Sequence, residues 1–383
     1  EAWKYGERAY RYCQHDVGHA LGALCVAGVA NGWRVALLPL PSDGAVAGLL
    51  GVDRSDDFID GEAEHPDLIA AVLTTPNSTI PDNIPEGFID SVRASNWVGK
   101  ANQLSLDRVD WTAISIAEEA TLKPPTGSLR FPASATIGLQ ASQPMRPGRS
   151  AATIIRQRRS AVDMDGQTGL TRDIFLGMIA RTLPNRTHAP WTGIDFPPRI
   201  NLCLFVHRID GLSPGLYVLM RDKARLDAFR AACHFQFAWE PVETSEMPLY
   251  ALDFGDYREV AIQASCFQKI AGDGAFSLGM IADFSRTLEE EGAWAYRRLF
   301  WESGLIGQML YLEAEAAGVR STGIGCYFDD VVHKLLGIDL LDDAWQSLYH
   351  FTVGEAVDDD RLSTLPAYGH LPPERTSPDR SRI

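Results

Sequence analysis

The sequence predicts an α+β fold built twice over, and two observations carry that expectation. The stretch from Tyr10 to Asp53 recurs without a gap from Tyr296 to Asp339, 286 positions later. Tyr10-Arg11 answers Tyr296-Arg297, Gly18 answers Gly304, Gly32-x-Arg34 answers Gly318-x-Arg320, and Asp43 answers Asp329. Leu49-Leu50-Gly51-Val52-Asp53 then answers Leu335-Leu336-Gly337-Ile338-Asp339. A period this long marks a duplicated domain and not a solenoid. Such a duplication commonly rebuilds the two-fold interface of a homodimer within one chain, here an intrachain pseudo-dimer. Helical and strand patterns also intermix without regular alternation, which suggests a mixed sheet flanked by helices.

The elements follow in order. Glu7 to Val29 is small and apolar, with Gly32 where a helix would end. The first copy opens inside the repeated unit, so its domain, residues 1–104, is expected to be N-terminally incomplete. Residues 105–149 read as a linker. It carries Lys123-Pro124-Pro125-Thr126-Gly127, Gln143-Pro144-Met145-Arg146-Pro147-Gly148 and one short helix near Trp111 to Ala120. A complete second domain is expected over 150–368, with a polar tail at 369–383. It opens with a helix from Ala151 to Arg158. A second helix, capped by Thr171 with Asp173 in its first turn, places Ile174, Phe175, Met178 and Ile179 on one face.

Asn201 to His207 and Leu216 to Arg221 form a strand pair joined through Asp210-Gly211-Leu212-Ser213-Pro214-Gly215. Glu259 to Gln268 reads as a helix and Phe276 to Phe284 as a buried strand. Trp294 to Ala317 is apolar over most of its circumference and ends at Gly318; such a helix belongs in a core or an interface. Tyr349 to Val353 is a last strand.

Composition narrows the function. A chain of 383 residues can bury two cores, and 45% hydrophobic with 22% charged residues is ordinary for a globular protein. The net charge of −15 argues against a nucleic-acid partner, although a few local arginines can still hold one phosphate. The six cysteines (Cys13, Cys25, Cys203, Cys233, Cys266, Cys326) show no CxxC pair and read as thiols of a reducing cytosol. No apolar run reaches the roughly 20 residues of a membrane helix, and Glu1 begins no signal-like segment. A cytoplasmic protein without a membrane partner is the default expectation.

Three places in the second copy could carry chemistry. Arg156-Gln157-Arg158-Arg159-Ser160 ends the opening helix, where two arginines and a hydroxyl can grip a phosphate; taken alone, the stretch reads first as a solvated basic helix end. Ser321-Thr322-Gly323-Ile324-Gly325-Cys326-Tyr327 follows the long helix, and its glycines let backbone approach a flat or anionic ligand, or simply make a tight turn. Positions 323 and 325 correspond to Leu37 and Pro39 in the first copy, so the scaffold alone does not demand the glycines. Arg361 follows the last strand, and by itself reads as a counter-charge for Asp358-Asp359-Asp360.

In order and spacing these elements resemble the nitroreductase superfamily of FMN-dependent enzymes, and within it the SagB-type dehydrogenase branch in a tandem-domain form. The resemblance rests on Arg158-Arg159-Ser160, on Tyr296-Arg297, Glu302-Ser303-Gly304 and Gln308 of the long helix, on Gly323-Ile324-Gly325-Cys326, and on Leu335-Leu336-Gly337-Ile338. It implies FMN at the interface of the two copies. The phosphate would lie with Arg158, Arg159, Ser160 and Arg361, and the ring along Gly323, Ile324, Gly325 and Cys326. It also implies hydride transfer through flavin N5 to or from a small organic or peptide-derived substrate, with NAD(P)H as a candidate electron donor. Two departures stand out. Val162 occupies a position where many members carry a basic residue. A Pro-Ser-Ser-Gly-like segment facing the flavin is absent where expected, at Pro197-Pro198-Arg199-Ile200-Asn201, and the resemblance places it in the first domain ahead of Glu1; Leu37 and Pro39 in place of the glycines imply a dead mirror-image site.

No acid or base emerges as catalytic. Two other readings stay open. One is a degenerate flavoprotein serving as a scaffold. The other is a metal protein using His15 and His19, which share a helix face at i and i+4.

Overall fold

In the computed structural model of the chain, residues 1–59, 62–75, 78–79, 83–104, 109–127, 149–185, 187–194, 196–242 and 247–371 are described. The Gln143–Gly148 stretch of the expected linker and the tail beyond residue 371 lie outside them. The repeat is visible as structure. A helix at Ala9–Ala30 leads to a strand at Arg34–Leu37 and a helix at Asp43–Leu50; 286 positions on, Ala295–Ala317, Arg320–Ile324 and Asp329–Leu336 repeat the series. The two short helices end alike, on Gly51 and Gly337 in the left-handed conformation that glycine adopts without a Cβ penalty.

The two long helices pack side by side in the same direction, and the repeat-related residues meet. Tyr10 stacks on Tyr296 at 6.2 Å, 13° from parallel. An added Cβ on Gly18 would lie 2.8 Å from Trp301 Cα, and one on Gly304 would lie 2.9 Å from Gly18 Cα and press on the His15 carbonyl. His15 and Trp301 are themselves repeat-related, so the contact is reciprocal. Small residues at the crossing let two backbones approach as no side chain would permit.

The main sheet has seven strands, in the order Arg320–Ile324, Trp345–Gly354, Phe276–Asp283, Ile200–Val206, Gly215–Leu219, Leu249–Phe254 and Glu240–Pro241. Every pairing in it is antiparallel. The expected mixed sheet is thereby corrected. Parallel pairing occurs only in the two-residue Leu170–Thr171/Ile209–Asp210 ladder and in the single bridge between Ser160 and Ser321 among the described residues. The physical reason is connection length: tight returns such as that from Val206 to Gly215 reverse the chain, whereas parallel neighbours need a crossover.

The central strand Ile200–Val206 is buried throughout and sorts its side chains to two cores. Leu202, Leu204 and Val206 face Phe175, Met178, Phe300 and Leu310, with Leu21, Cys25, Val35 and Leu37 of the first copy in the same cluster. Cys203 and Phe205 face Phe229, Ala261, Val332 and Trp345. Each large apolar side chain so buried contributes about 1.5–3 kcal/mol. One core thus spans both copies.

The helix read over Glu259 to Gln268 is shorter, Arg258–Ala264; Cys266 and Phe267 have φ of 55° and 59°, which no helix continues. The last strand is longer than read, Trp345–Gly354. Gly323 lies inside the Arg320–Ile324 strand and not in a loop. No helix among the described residues is long and apolar enough to cross a membrane.

Candidate functional site

The helix Ala151–Gln157, capped by Ser150 through its hydroxyl, ends at Arg158, and the chain beyond it runs along the outer edge of strand Arg320–Ile324. Ser160 bridges Ser321, Ala161 N–H donates to Ser321 O at 3.1 Å, and Thr322 Oγ1–H donates to Ala161 O at 2.6 Å. Two motifs far apart in sequence are thereby joined edge to edge.

Tyr311, on the long helix, is the residue at which they converge. Its hydroxyl lies 2.9 Å from Ser160 Oγ and accepts the Gly323 N–H at 2.9 Å. The Arg158 guanidinium stands over its ring at 4.7 Å, within cation–π range. Sequence reasoning passed over Tyr311, because a tyrosine in an apolar helix reads as packing. Its spacing from Gly323 across the helix-to-strand turn is the only local signal.

The other expected residues fall as follows. Arg159 donates to the carbonyls of Arg156 at 2.9 Å, Arg158 at 2.8 Å and Leu365 at 3.2 Å, tying the C-terminal segment to the arm. Arg361 is exposed and clamps Asp359 through Nε at 2.8 Å and Nη2 at 2.7 Å. This is the counter-charge arrangement that its acidic neighbours suggested. Val162 is exposed beside the arm. Ile324 is buried, and Cys326 is half-buried, with its carbonyl accepting from Gln268 Nε2 at 3.1 Å.

Side chains from both copies stand against the glycines. An added Cβ on Gly323 would lie 2.8 Å from Tyr349 Cζ, and one on Gly325 would lie 2.9 Å from Tyr12 Cζ. Gly323 is therefore required by a tyrosine on the neighbouring strand. Tyr349 O–H donates to His19 Nε2 at 3.2 Å, while His19 Nδ1–H donates to Gln308 Oε1 at 3.2 Å. That hydrogen-bond network assigns the His19 tautomer. His15 stacks on Tyr349 at 4.0 Å and donates Nε2–H to Leu348 O at 3.1 Å; its buried Nδ1 has no partner. Both imidazoles thus face protein groups and not each other's ligand. No cluster of three or more His, Cys, Asp or Glu able to hold a metal occurs among the described residues.

Burial pushes His15 down to about 3 and His19 down to about 4, so both are neutral at pH 7. For a histidine with a depressed folded value, the unfolded chain takes the proton first. Stability is therefore full above about 6.5 and declines as pH falls towards 3. Between pH 7 and 5.5 the wild-type urea midpoint should drop, and about 1 kcal/mol of that loss should vanish in His15→Asn. An unaltered pH slope in the variant would show that His15 is not the buried neutral group described.

Comparison with known proteins bears on the fold. Residues 215–355 match the nitroreductase family model. No curated protein matches the chain. Among solved structures, a candidate nitroreductase from Anabaena variabilis superposes with a TM-score of 0.64 at 19% identity, over 93% of this chain and 67% of its own. At that identity the likeness establishes the fold. A candidate nitroreductase from Ralstonia eutropha aligns at 16% identity over 61% of this chain and 97% of its own, with a TM-score of 0.39.

Proposed function

We propose that the chain is an FMN-dependent oxidoreductase of the nitroreductase type, in its SagB-like dehydrogenase branch. Its copies, residues 1–104 and 150–368, form an intrachain pseudo-dimer with one flavin site. The observation that carries this reading is the convergence of Arg158, Ser160 and the Gly323 amide on the Tyr311 hydroxyl. A guanidinium, a hydroxyl and a backbone N–H brought to one point are the groups an anionic cofactor needs. The reciprocal packing of Gly18 and Gly304 supports the pseudo-dimer, since an isologous interface is one in which each residue meets its counterpart's neighbour.

Arg158 over the Tyr311 ring and Ser160 Oγ beside its hydroxyl support a phosphate end there, with Arg159 next along the arm, while Arg361 would have to leave Asp359 to join them. At the ring end the faces of Gly323 and Gly325 are covered, but by the ends of tyrosine side chains and not by backbone. Rotation of Tyr12 and Tyr349 would uncover the Gly323-Ile324-Gly325-Cys326 edge. FMN, when bound, supplies hydride exchange with a small organic or peptide-derived substrate, NAD(P)H being the candidate donor. The chain's own work is to hold the anion, to orient the ring against strand Arg320–Ile324, and to keep water out with Tyr12 and Tyr349. Their covering position also favours a second reading, a fold retained with its flavin site closed.

Titration of the purified chain with FMN and with riboflavin separates the two. FMN should bind more tightly than riboflavin by at least about tenfold, the worth of one charge-assisted contact. Arg158→Ala should erase that preference, and Val162→Lys should enlarge it. Binding of neither flavin would leave the closed-site reading standing, and equal affinity for the two would overturn the phosphate grip assigned to Arg158 and Ser160.

A further inference from the structure

Two cysteines meet where the glycine edge ends. Strand Arg320–Ile324 runs out through Gly325 into Cys326, and helix Arg258–Ala264 ends beside it. Three contacts hold the two chain segments together. Phe328 N–H donates to Ala264 O at 2.7 Å, Gln268 Nε2–H donates to Cys326 O at 3.1 Å, and the Phe267 and Phe328 rings meet edge to face at 5.8 Å. Between these anchors the Cys266 thiol donates to the Cys326 sulfur, and both are free thiols.

The two sulfurs are not equivalent. Burial, and after it the hydrogen bond with Cys326, pushes the Cys266 thiol up to about 12. When one of two neighbouring thiols ionises, the other stays protonated and donates to it. Cys326 is therefore the sulfur that carries the thiolate, the nucleophile of thiol chemistry. The Arg8 guanidinium, over the Tyr12 ring at 5.9 Å, adds a positive charge beside the pair. Access sets the pair apart as well. Cys266 and Cys326 are partly exposed, whereas Cys203 and Cys233 share an apolar core and Cys25 is buried. Cys266 and Phe267 hold φ of 55° and 59°, a left-handed pair that residues with a Cβ adopt at a cost. An exposed link on such backbone is the labile, reversible kind of disulfide and not a structural staple.

From this arrangement we propose that Cys326 and Cys266 form a reversible dithiol–disulfide couple that takes a small-molecule disulfide as its oxidant, with Cys326 attacking and Cys266 resolving. The Cys326 thiolate attacks one sulfur of RSSR. A bond forms between them, the S–S bond of RSSR breaks, and RS⁻ leaves and takes up the proton that Cys326 released. Cys266 then gives up its proton and attacks the Cys326 sulfur of the mixed disulfide, expelling the second RS⁻, which takes that proton. Two protein thiols are oxidised to one disulfide, and RSSR is reduced to two RSH. The new bond ties the glycine edge to the segment after helix Arg258–Ala264. The couple goes beyond the FMN reading and does not rest on it.

The test exposes the purified full chain to glutathione buffers of rising oxidised fraction, quenches with acid, alkylates, and maps each cysteine by peptide mass spectrometry. A peptide pair joined through Cys266 and Cys326 should appear in monomeric chain and vanish on adding dithiothreitol, while Cys25, Cys203 and Cys233 stay reduced. In Cys266→Ser, the mixed disulfide with glutathione should accumulate on Cys326. In Cys326→Ser, Cys266 should gain glutathione at least about tenfold more slowly than that, because burial still holds its thiol protonated. Glutathione on both cysteines of the wild-type chain without the joined peptides would overturn the proposal. Two thiols that stay reduced in the most oxidising buffer would overturn it too, and the wild-type map decides this even where a variant fails to fold. Equal rates in the two variants would overturn the assignment of Cys326 as the attacking sulfur.

Discussion

Glu302→Ala will lower folding stability by about 3–5 kcal/mol, because it strands a guanidinium in the core. Glu302 and Arg221 are both buried, and Glu302 Oε1 accepts from Arg221 Nη1. Glu302 Oε2 accepts the Arg199 N–H at 2.8 Å, so one carboxylate ties the long helix to the start of the central strand. Arg221 also donates to Thr182 O at 2.7 Å and Ile200 O at 2.9 Å, and stands over Trp191 at 4.9 Å. Those neutral partners cannot replace the lost charge, and an arginine does not deprotonate to escape. The Arg221→Met/Glu302→Leu double variant should recover most of the loss, since a buried pair is worth little over a well-packed apolar one. Urea unfolding of Glu302→Ala and of the double variant measures this. A single variant with the wild-type midpoint would contradict the burial of the pair.

Gly304→Val should cost about 3 kcal/mol, the upper end for overpacking, with Gly18→Val close behind. The obstructing atoms are the backbone of the facing helix, which cannot turn aside as a side chain could. Relieving the glycine's helix-propensity penalty returns less than about 1 kcal/mol, so the steric term wins. Thermal unfolding would show the loss. The matching behaviour of the two sites is the sharper outcome: a large effect at Gly304 and none at Gly18 would be incompatible with reciprocal packing.

Much of the fold was legible because the repeat aligned whole elements. Helix, strand and helix share their offset, and Gly318 closes its helix as read, while the first long helix ends one residue before Gly32, on Asn31. What sequence could not reveal was decided across the sheet. Gly323 reads as a loop glycine from its neighbours in sequence, yet it sits in a strand because Tyr349 on the adjacent strand needs the space. Tyr311 escaped notice for the same reason, its partners lying 151 positions before it and 12 after. At the candidate site, local chemistry drew attention to Arg158 and Ser160, which the structure brings to Tyr311. Arg361 stands in the structure as the counter-charge that its acidic neighbours suggested.

The pairing of the Ala9–Ala30 and Ala295–Ala317 helices also sets an order of events during synthesis. The first helix emerges with Gly18, Leu21 and Cys25 prepared for a partner some 286 residues away. At about 5–20 residues per second it waits tens of seconds for that partner to leave the ribosome. Throughout that interval its apolar stripe has no native cover, and closing so long a loop is among the slower steps of folding. A holding chaperone that shields this helix, or slow passage of the ribosome through the second copy, would therefore govern the yield of folded chain more than any local propensity.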